Sequence, residues 1–281
     1  MKVARPDKIL FAQAKLTKAD LAQHYVEVWP AIAPHVLGRA VTVVRAPDGI
    51  GAHAFVMQRR PAHAPPEVGE AVLEHATGAK AHMVIQSVDS LIWLADQAAV
   101  EIHRHLARAD RPDRPDRLIL DLDPSGATTF EDVQAVAREA GAALERRGLN
   151  PFVMTTGRRG LHVVAPIEDV PSFEASREVA RRAAREVEGA CPERATLAHR
   201  KADRGDRVYL DVLRNGAGAT AIAPYSTRAQ PEAPVAVPLA WDEALARGLD
   251  PAGYGPEAVH RRLGQKRCPW ADMATCAARP R

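Results

Sequence analysis

The sequence predicts an α+β fold in which mixed or antiparallel β-sheets are flanked by helices. Short strand-like segments alternate along the chain with amphipathic helical segments, and no internal repeat is visible. Two strand-like segments, 152–156 and 161–164, are separated by residues 157–160 (GRRG), which is typical of a hairpin with a glycine-bounded tip. The apolar segment 118–122 also has strand character, and Pro124 stops it.

The length and composition of the chain favour one catalytic domain. With 281 residues the chain is long enough to bury a full core, and no clean linker interrupts it. We expect an N-terminal lobe at about 1–90, a catalytic lobe at about 91–230 and a C-terminal wrap at 231–281. No stretch approaches the ~20 apolar residues of a membrane span, and no signal segment is visible, so we expect a cytoplasmic protein.

Cysteine usage excludes two classes of small-domain architecture. The three cysteines are widely spaced and include no C-x-x-C pair. This pattern argues against a disulfide framework and against a structural zinc site. The residues are Cys191, Cys268 and Cys276.

Basic residues cluster locally although the net charge is only +3. Arginine far outnumbers lysine in the clusters 158–159, 177–185 and 200–207. Such clusters are either solvated helix faces or phosphate-binding surfaces, because the guanidinium group matches phosphate oxygens in bidentate geometry. Charge alone does not decide between these two interpretations.

Capping and turn signals place the first elements. Thr17 and Asp20 have the spacing of a capping box, which predicts a helix running to about Trp29. The segment 40–45 is rich in β-branched residues and is predicted as a strand, closed by a turn at 46–49.

The middle of the chain contains a predicted loop and two predicted helices. Residues 61–80 are rich in Pro, Ala and His and are predicted as a loop with a short excursion. Apolar spacing from 91 to 106 predicts a helix. Thr129 is the predicted N-cap of a second helix, 130–147, which Gly148 ends.

The second half of the chain also alternates between strand-like and helical segments. The predicted elements are a helix at 172–189, a strand at 208–213, a turn at 215–218 leading into 219–223, and a proline-rich tail from 230 with one short helix at 241–247.

Two carboxylates at the end of the strand-like segment 118–123 are the most informative feature of the chain. Side chains alternate across a strand, so Asp121 and Asp123 point to the same face. Adjacent like charges raise each other's pKa, and a divalent cation is the usual compensation because hard cations bind clustered carboxylate oxygens. A third carboxylate, Asp211, lies in another buried-looking strand. Three such aspartates suit two divalent metals that clamp an in-line displacement at phosphorus.

The predicted hairpin carries groups that suit phosphate oxygens. Its tip offers backbone N–H groups near two glycines, a hydroxyl, a guanidinium and an imidazole, and Arg214 follows Asp211 closely enough to reach the same phosphates. The hairpin groups are those of Gly157, Gly160, Thr156, Arg159 and His162.

Several motifs occur in an order that resembles one known family. The segments 121–124 (DLDP), 155–162 (TTGRRGLH) and 209–215 (YLDVLRN) resemble the polymerase domain of bacterial DNA ligase D, in the archaeo-eukaryotic primase superfamily. The D-x-D pair alone is a weak signal, whereas six or more motifs in family order are specific. The similarity extends over nearly the whole chain, through segments 5–11, 16–21, 45–49, 101–103, 223–228 and 269–270.

The resemblance implies a primase-like catalytic core with two Mn²⁺ or Mg²⁺ ions. Asp121 and Asp123 would bind both ions, and Asp211 would complete the site near the primer 3′-hydroxyl. The residues implied to hold the incoming nucleotide are His103, Thr156, Arg159, His162, Arg214, Thr220 and Arg228.

The resemblance also implies contacts with DNA. Lys8 and Lys18, with Arg5, match the pocket that grips a 5′-phosphate at a gap or break. Phe55 falls where the family stacks an aromatic residue on the template, an interaction worth about 1–3 kcal/mol per base. Val56 replaces a second phenylalanine of the family, so the platform is weaker here.

Two other positions depart from the family pattern. Thr156 replaces a serine and keeps the hydroxyl. Arg159 replaces a lysine and keeps the charge but changes its geometry. Neither change removes a metal ligand.

The function implied by the resemblance is template-directed nucleotidyl transfer at DNA gaps or broken ends. Ribonucleotides would be preferred over deoxyribonucleotides, and the pathway would be end joining or a related repair. We expect a monomer at the nucleoid that acts on 5′-phosphorylated DNA with NTP or dNTP. Since no ligase or nuclease segment is visible, the protein would either work alone or recruit partners such as Ku and a DNA ligase in trans.

Two other functions are compatible with parts of the sequence. Residues 121–125 (DLDPS) fit the nucleophile motif of haloacid-dehalogenase-type phosphatases, with Asp121 attacking phosphorus. That motif here lies in mid-chain, and Lys201 is the one candidate for the later lysine of that class in the intervening stretch. A non-catalytic nucleic-acid-binding module is the second alternative, and the presence of all three aspartates argues against it.

Overall fold

A computed structural model describes residues 2–75 and 77–281. In these residues, seven α-helices and fourteen β-strands alternate along the chain. The helices are α1 Lys18–Glu27, α2 Trp29–Val36, α3 Val88–Asp96, α4 Phe130–Glu145, α5 Phe173–Ala190, α6 Trp241–Ala244 and α7 Pro256–Gln265. The strands are β1 Ile9–Phe11, β2 Leu16–Thr17, β3 Ala40–Arg45, β4 Phe55–Met57, β5 Val68–Leu73, β6 Lys80–Ile85, β7 Ala99–His105, β8 Arg117–Pro124, β9 Phe152–Thr155, β10 Leu161–Pro166, β11 Ala195–Thr196, β12 Val208–Asp211, β13 Thr220–Ile222 and β14 Pro238–Leu239.

Two six-stranded sheets form the framework. The first has the order β13-β7-β3-β6-β5, with β4 paired to β3, and the second has the order β11-β12-β8-β10-β9-β14. The described pairings are antiparallel except for β11 with β12, which are parallel. The predicted α+β class with mixed or antiparallel sheets is therefore confirmed. No helix among the described residues combines the length and apolar character needed to cross a bilayer.

The lobe boundaries expected from the sequence stay a prediction. The first sheet includes β7 and β13, whose residues lie inside the expected catalytic lobe. The two expected lobes therefore share strands of one sheet.

Helix α4 covers one face of the second sheet with apolar side chains. Its buried positions follow helical spacing, so one apolar stripe packs against β8 and β10. Thr129 caps the helix: its hydroxyl accepts the N–H of Asp132 at 3.2 Å, and the Asp132 carboxylate accepts the N–H of Thr129 at 3.0 Å. The predicted cap and helix are confirmed. The predicted strand 40–45 and the hairpin around 157–160 are confirmed as well.

The predicted helix at 91–106 is wrong beyond its first turns. Helix α3 ends at Asp96, the backbone turns at Ala98 with φ of 56°, and residues 99–105 form β7. His103, expected on a helix, therefore lies on a strand. Pairing of β7 with both β3 and β13 supplies hydrogen bonds that override the local helical spacing.

Three smaller expectations also need correction. The predicted loop at 61–80 contains β5, whose pairing with β6 was hidden by flanking Pro and His residues. The strand predicted at 208–213 ends at Asp211, and a 3₁₀ turn covers Leu213–Asn215. The tail contains α7, which starts with Pro256 at its first turn.

A buried asparagine makes hydrogen bonds to β8 at a position where no strand of the described residues pairs with it on that side. Pairing between β12 and β8 covers residues 121–124, so Ile119 lies beyond the end of β12. The fully buried Asn215 fills this place: its Oδ1 accepts the N–H of Ile119 at 2.9 Å, and its Nδ2 donates to the Ile119 carbonyl at 2.7 Å. The turn that follows Asp211 is thereby tied to β8.

Asn215→Ala should lower the free energy of unfolding by about 2–4 kcal/mol, because it leaves a buried N–H and a buried C=O of Ile119 without partners. Urea unfolding measures this change. Asn150→Ala is the matched control, since it removes one exposed hydrogen bond to the Cys276 carbonyl and should cost less than about 1 kcal/mol. Equal losses in the two variants would contradict the strand-replacing role.

Candidate active site

Strand register brings the three aspartates together. In the second sheet, Asp121 of β8 lies opposite Asp211 of β12 on one side and opposite His162 of β10 on the other. Asp123 follows two residues later on the same face. One carboxylate oxygen of each aspartate lies within 4.8 Å of the other two. The three carboxylates thus converge on one point at the end of β8.

An imidazole and a guanidinium of the protein lie against this cluster. Nε2 of His162 lies 3.2 Å from Oδ1 of Asp121. Nε of Arg214 lies 3.3 Å from Oδ2 of Asp121 and 3.5 Å from Oδ2 of Asp211. Burial favours the protonated form of Asp121, but His162 and Arg214 outweigh it and hold the pKa of Asp121 below its usual value.

Asp123 carries the charge that the protein does not compensate. Burial, followed by the charge of Asp121 and that of Asp211, raises the pKa of Asp123 to about 6. Burial also raises the pKa of Asp211, although its carboxylate accepts the N–H of Leu213 at 2.8 Å. Three converging carboxylates with excess negative charge fit hard divalent cations such as Mg²⁺ or Mn²⁺.

A basic cavity of about 430 Å³ opens beside the aspartates. Its cationic lining matches the several negative charges of a phosphate chain. The basic and hydroxyl-bearing side chains in the lining are those of His103, Thr156, Arg158, Arg159, His162, Lys201, Arg204, Arg214 and Arg228.

The hairpin tip between β9 and β10 needs both of its glycines. Gly157 has φ of 67°, and a Cβ there would approach Cγ of Arg228 to 2.7 Å. A Cβ at Gly160 would collide with the carbonyl oxygen of Leu122. The Thr156 hydroxyl donates to the Gly160 carbonyl at 3.1 Å. The tip is therefore packed tightly between β8 and the segment that carries Arg228.

The residues predicted to bind the nucleotide differ in their exposure and in whether they line the cavity. Arg159 is exposed and lines it, whereas His162 is only 3% exposed and pairs with Asp121. Thr220 lies on β13 opposite His105, and its neighbours Ala221 and Ile222 line the cavity instead.

The residues expected to bind DNA lie outside the cavity lining. The backbone N–H of Lys18 donates to the carbonyl of Lys8 at 2.9 Å, which brings these two lysines together. Lys8 pairs with Asp48 at 3.0 Å. Lys18 is only 8% exposed and pairs with Asp96 at 2.8 Å. The exposed Arg5 follows Ala4, whose carbonyl also accepts the Lys18 ammonium.

Phe55 lies on β4 at an exposed position. Its side chain is 38% exposed, and that of the neighbouring Val56 is 67% exposed. The His53 ring stacks on the Phe55 ring at 6.2 Å, and the Arg45 guanidinium lies 5.3 Å from its centroid. This cluster is a cationic and aromatic surface of the kind on which a base can stack.

Sequence reasoning gave no nucleotide-binding role to several residues of the site. Lys201 and Arg204 line the cavity, and Arg204 also lies 3.7 Å from the Tyr209 ring centroid. The basic cluster at 200–207 was the available signal. Glu101 is buried and bonds to His103, Arg158 and Arg228. In the sequence, the feature that could have indicated Glu101 is a single carboxylate next to apolar residues of β7.

Comparisons with known proteins agree with this geometry. A family model for the LigD primase-polymerase domain matches residues 17–270. The multifunctional non-homologous end joining protein LigD of Mycolicibacterium smegmatis is 32% identical over 245 residues, which cover 86% of this chain and 32% of that protein. The bifunctional non-homologous end joining protein LigD of Bacillus subtilis is 31% identical over 268 residues, which cover 95% of this chain and 43% of that protein.

A solved structure shows the same fold. The polymerase domain from Mycobacterium tuberculosis ligase D, in complex with DNA, superposes with a TM-score of 0.90 at 29% sequence identity and covers 98% of both chains. The present chain thus spans less than half the length of these two relatives and nearly the whole of this polymerase domain. On its sequence, fold and site, the chain belongs to the LigD primase-polymerase domain family, which is a family of nucleotidyltransferases.

Proposed function

We propose that this chain is a template-directed polymerase that fills gaps at DNA breaks by two-metal-ion phosphoryl transfer. The observation that carries the proposal is the convergence of Asp121, Asp123 and Asp211 beside a cavity lined by basic side chains. Bound divalent ions would lower the pKa of the attacking 3′-hydroxyl and neutralise charge on the leaving pyrophosphate.

The residues of the chain have distinct parts in this proposal. The three aspartates supply the oxygen ligands and hold the ions in a fixed position. Arg159 and Arg228, which both line the cavity, would bind phosphate oxygens of the incoming nucleotide. Phe55 would support the template base, because aromatic stacking tolerates any base.

The biological setting is proposed from the relatives. Their names place them in non-homologous end joining, and the present chain corresponds to their polymerase part. We propose gap filling at broken ends with a preference for ribonucleotides and manganese, at the nucleoid, with Ku and a ligase acting in trans. A gap-size series with NTP and dNTP tests the nucleotide preference.

The two alternatives give different products in one assay. A gapped, 5′-phosphorylated duplex is incubated with nucleotides and Mn²⁺. A polymerase adds template-matched residues, a phosphatase releases inorganic phosphate, and a binding module gives no product. Within this structure, Asp121 is paired with both His162 and Arg214, which disfavours it as a free nucleophile.

Asp121→Ala should reduce primer extension at least about 100-fold, because it removes a carboxylate that would bind both metal ions. The basic side chains of the cavity remain in place. Extension and DNA affinity are measured on the same substrate, and the affinity should remain close to wild type. Asp113→Ala removes an equal charge from an exposed position and should leave extension unchanged. Full extension by Asp121→Ala would refute the metal-site assignment.

Asp123→Asn should stabilise the metal-free protein at pH 8 by about 1–3 kcal/mol. Burial and neighbouring carboxylates raise the pKa of Asp123 to about 6, so ionisation above that pH opposes folding. Below about pH 4 the carboxyl is protonated in the folded and unfolded states, and the difference should vanish. Thermal unfolding with a chelator at pH 3.5 and pH 8 measures this.

Metal addition provides the complementary readout for Asp123. Mn²⁺ at pH 8 should raise the melting temperature of the wild type and have little effect on Asp123→Asn. Asp113→Asn serves as the control and should behave as wild type in both experiments. If Asp123→Asn is no more stable than the wild type at pH 8, the ionised Asp123 carboxylate does not oppose folding and the prediction is wrong.

Arg5→Ala combined with Lys8→Ala should reduce the preference for 5′-phosphorylated over unphosphorylated gaps by about tenfold or more, because two charge-assisted contacts are lost. Lys18 is left in place, since its removal would leave Asp96 without a cationic partner. The measurement is the ratio of the two DNA affinities. Lys15→Ala is the control with an exposed lysine nearby. An unchanged ratio in the double variant would refute this pocket.

A further inference from the structure

Glu101 is the meeting point of four donors beside the cavity. This carboxylate is 3% exposed and lies on β7. Its Oε1 accepts from Nε of Arg228 at 3.1 Å and from Nη2 of Arg158 at 2.8 Å. The same oxygen accepts the backbone N–H of Ala229 at 2.8 Å. Its Oε2 lies 2.8 Å from Nε2 of His103.

The segment that carries Arg228 is held in register with β7. Oγ of Ser226 accepts the N–H of Ile102 at 2.9 Å, and the Thr227 hydroxyl donates to the Val100 carbonyl at 2.8 Å. The Arg228 side chain, 8% exposed, also donates from Nη1 to the Thr156 carbonyl at 2.9 Å. Its guanidinium is thus fixed between Glu101 and the hairpin tip.

An ionised carboxylate determines the tautomer of His103. A carboxylate only accepts hydrogen bonds, so Nε2 of His103 must carry the proton that it shares with Oε2. Burial lowers the pKa of His103, although Glu101 opposes this, so the imidazole is neutral near pH 7. Its Nδ1 is then an acceptor, and among the described residues it has no hydrogen-bond partner. His103 lines the same cavity as Arg228.

Glu101 itself stays ionised over the working pH range. Burial alone would raise its pKa, but the hydrogen bond from His103 and the charge of Arg228 lower it to about 2. The tautomer that it imposes is therefore the same at any pH at which His103 is neutral.

We propose that Glu101 is a positioning residue for the nucleotide, which fixes the Nε2–H tautomer of His103 and holds the Arg228 guanidinium in place. His103 then presents Nδ1 as an acceptor for an O–H or N–H group of the bound nucleotide, while Arg228 presents donors to its phosphates. The inference rests on the proposed polymerase function and specifies how its nucleotide site is organised.

Glu101→Gln gives a directional test because an amide keeps the shape but not the pattern of acceptors. Three donors surround the Oε1 position, so the amide oxygen must stay there and its NH₂ must face His103. Nε2 of His103 then has to accept, and the proton moves to Nδ1. The group that His103 offers to the nucleotide changes from acceptor to donor.

The spectroscopic experiment uses the full chain with ¹⁵N-labelled histidine. The signals of His103 are assigned by their loss in His103→Gln. We expect the Nε2–H tautomer in the wild type and the Nδ1–H tautomer in Glu101→Gln. Glu174→Gln, a substitution at an exposed glutamate, should keep the wild-type tautomer. The same tautomer in wild type and Glu101→Gln would overturn the proposal.

Kinetics provide the second readout. Glu101→Gln should raise KM for the nucleotide by roughly 3- to 10-fold, with a smaller change in kcat. Its melting temperature should fall, because Arg228 loses its buried anionic partner, so the kinetics are measured well below that temperature. In a His103→Ala background, the same substitution should raise KM less, because the part of its effect that passes through the imidazole is lost and only the part that passes through Arg228 remains. Fully additive effects would overturn the proposal.

The experiments distinguish a failure of the proposed polymerase function from a failure of the proposed role of Glu101. The tautomer is read from the protein without DNA or nucleotide, so it is independent of polymerase activity. A wild type that fails to extend gapped DNA with Mn²⁺ refutes the proposed function. A wild type that extends, with an unchanged tautomer in Glu101→Gln, refutes only the role of Glu101.

Discussion

Repulsion among the carboxylates at the end of β8 is the constraint on which the site depends. Asp121, Asp123 and Asp211 are held close enough for one cation to contact all three. His162 and Arg214 lie against Asp121, whereas burial and then the charges of Asp121 and Asp211 raise the pKa of Asp123. The fold maintains this arrangement because strand pairing and the dry packing of α4 and α5 leave the strands no other register.

Residues of both sheets line the cavity. Strand β8 of the second sheet contributes Asp121 and Asp123, and β7 of the first sheet contributes His103, which is bonded to the buried Glu101. The Arg228 segment joins the two, since it bonds to β7 on one side and to the hairpin tip on the other. The acidic centre and the basic wall therefore keep a fixed separation, which suits a substrate that carries phosphate to a metal.

Sequence patterns predicted best where the signal is local. The Thr129 cap, the glycine-bounded hairpin and the shared face of Asp121 and Asp123 each depend on residues a few positions apart, and the structure has them all. Prediction was wrong at 91–106, where pairing with β3 and β13 outweighed helical spacing, and at 61–80, where β5 depends on its pairing with β6. Long-range hydrogen bonds of this kind leave no periodic trace in a short window.

The sequence by itself determined the acidic centre, the hairpin, the α+β class and, through ordered motifs, the family. Alternation along a strand and backbone freedom at glycine are properties of single segments and can be read directly. Only the tertiary structure decided which partners those groups have. It paired Lys18 with Asp96, placed Thr220 beside the cavity rather than in its lining, and revealed Glu101 as the common acceptor of His103 and Arg228. The physical reason is that a buried charge takes its role from neighbours in space, and the neighbours of Glu101 are up to 128 positions away in the chain.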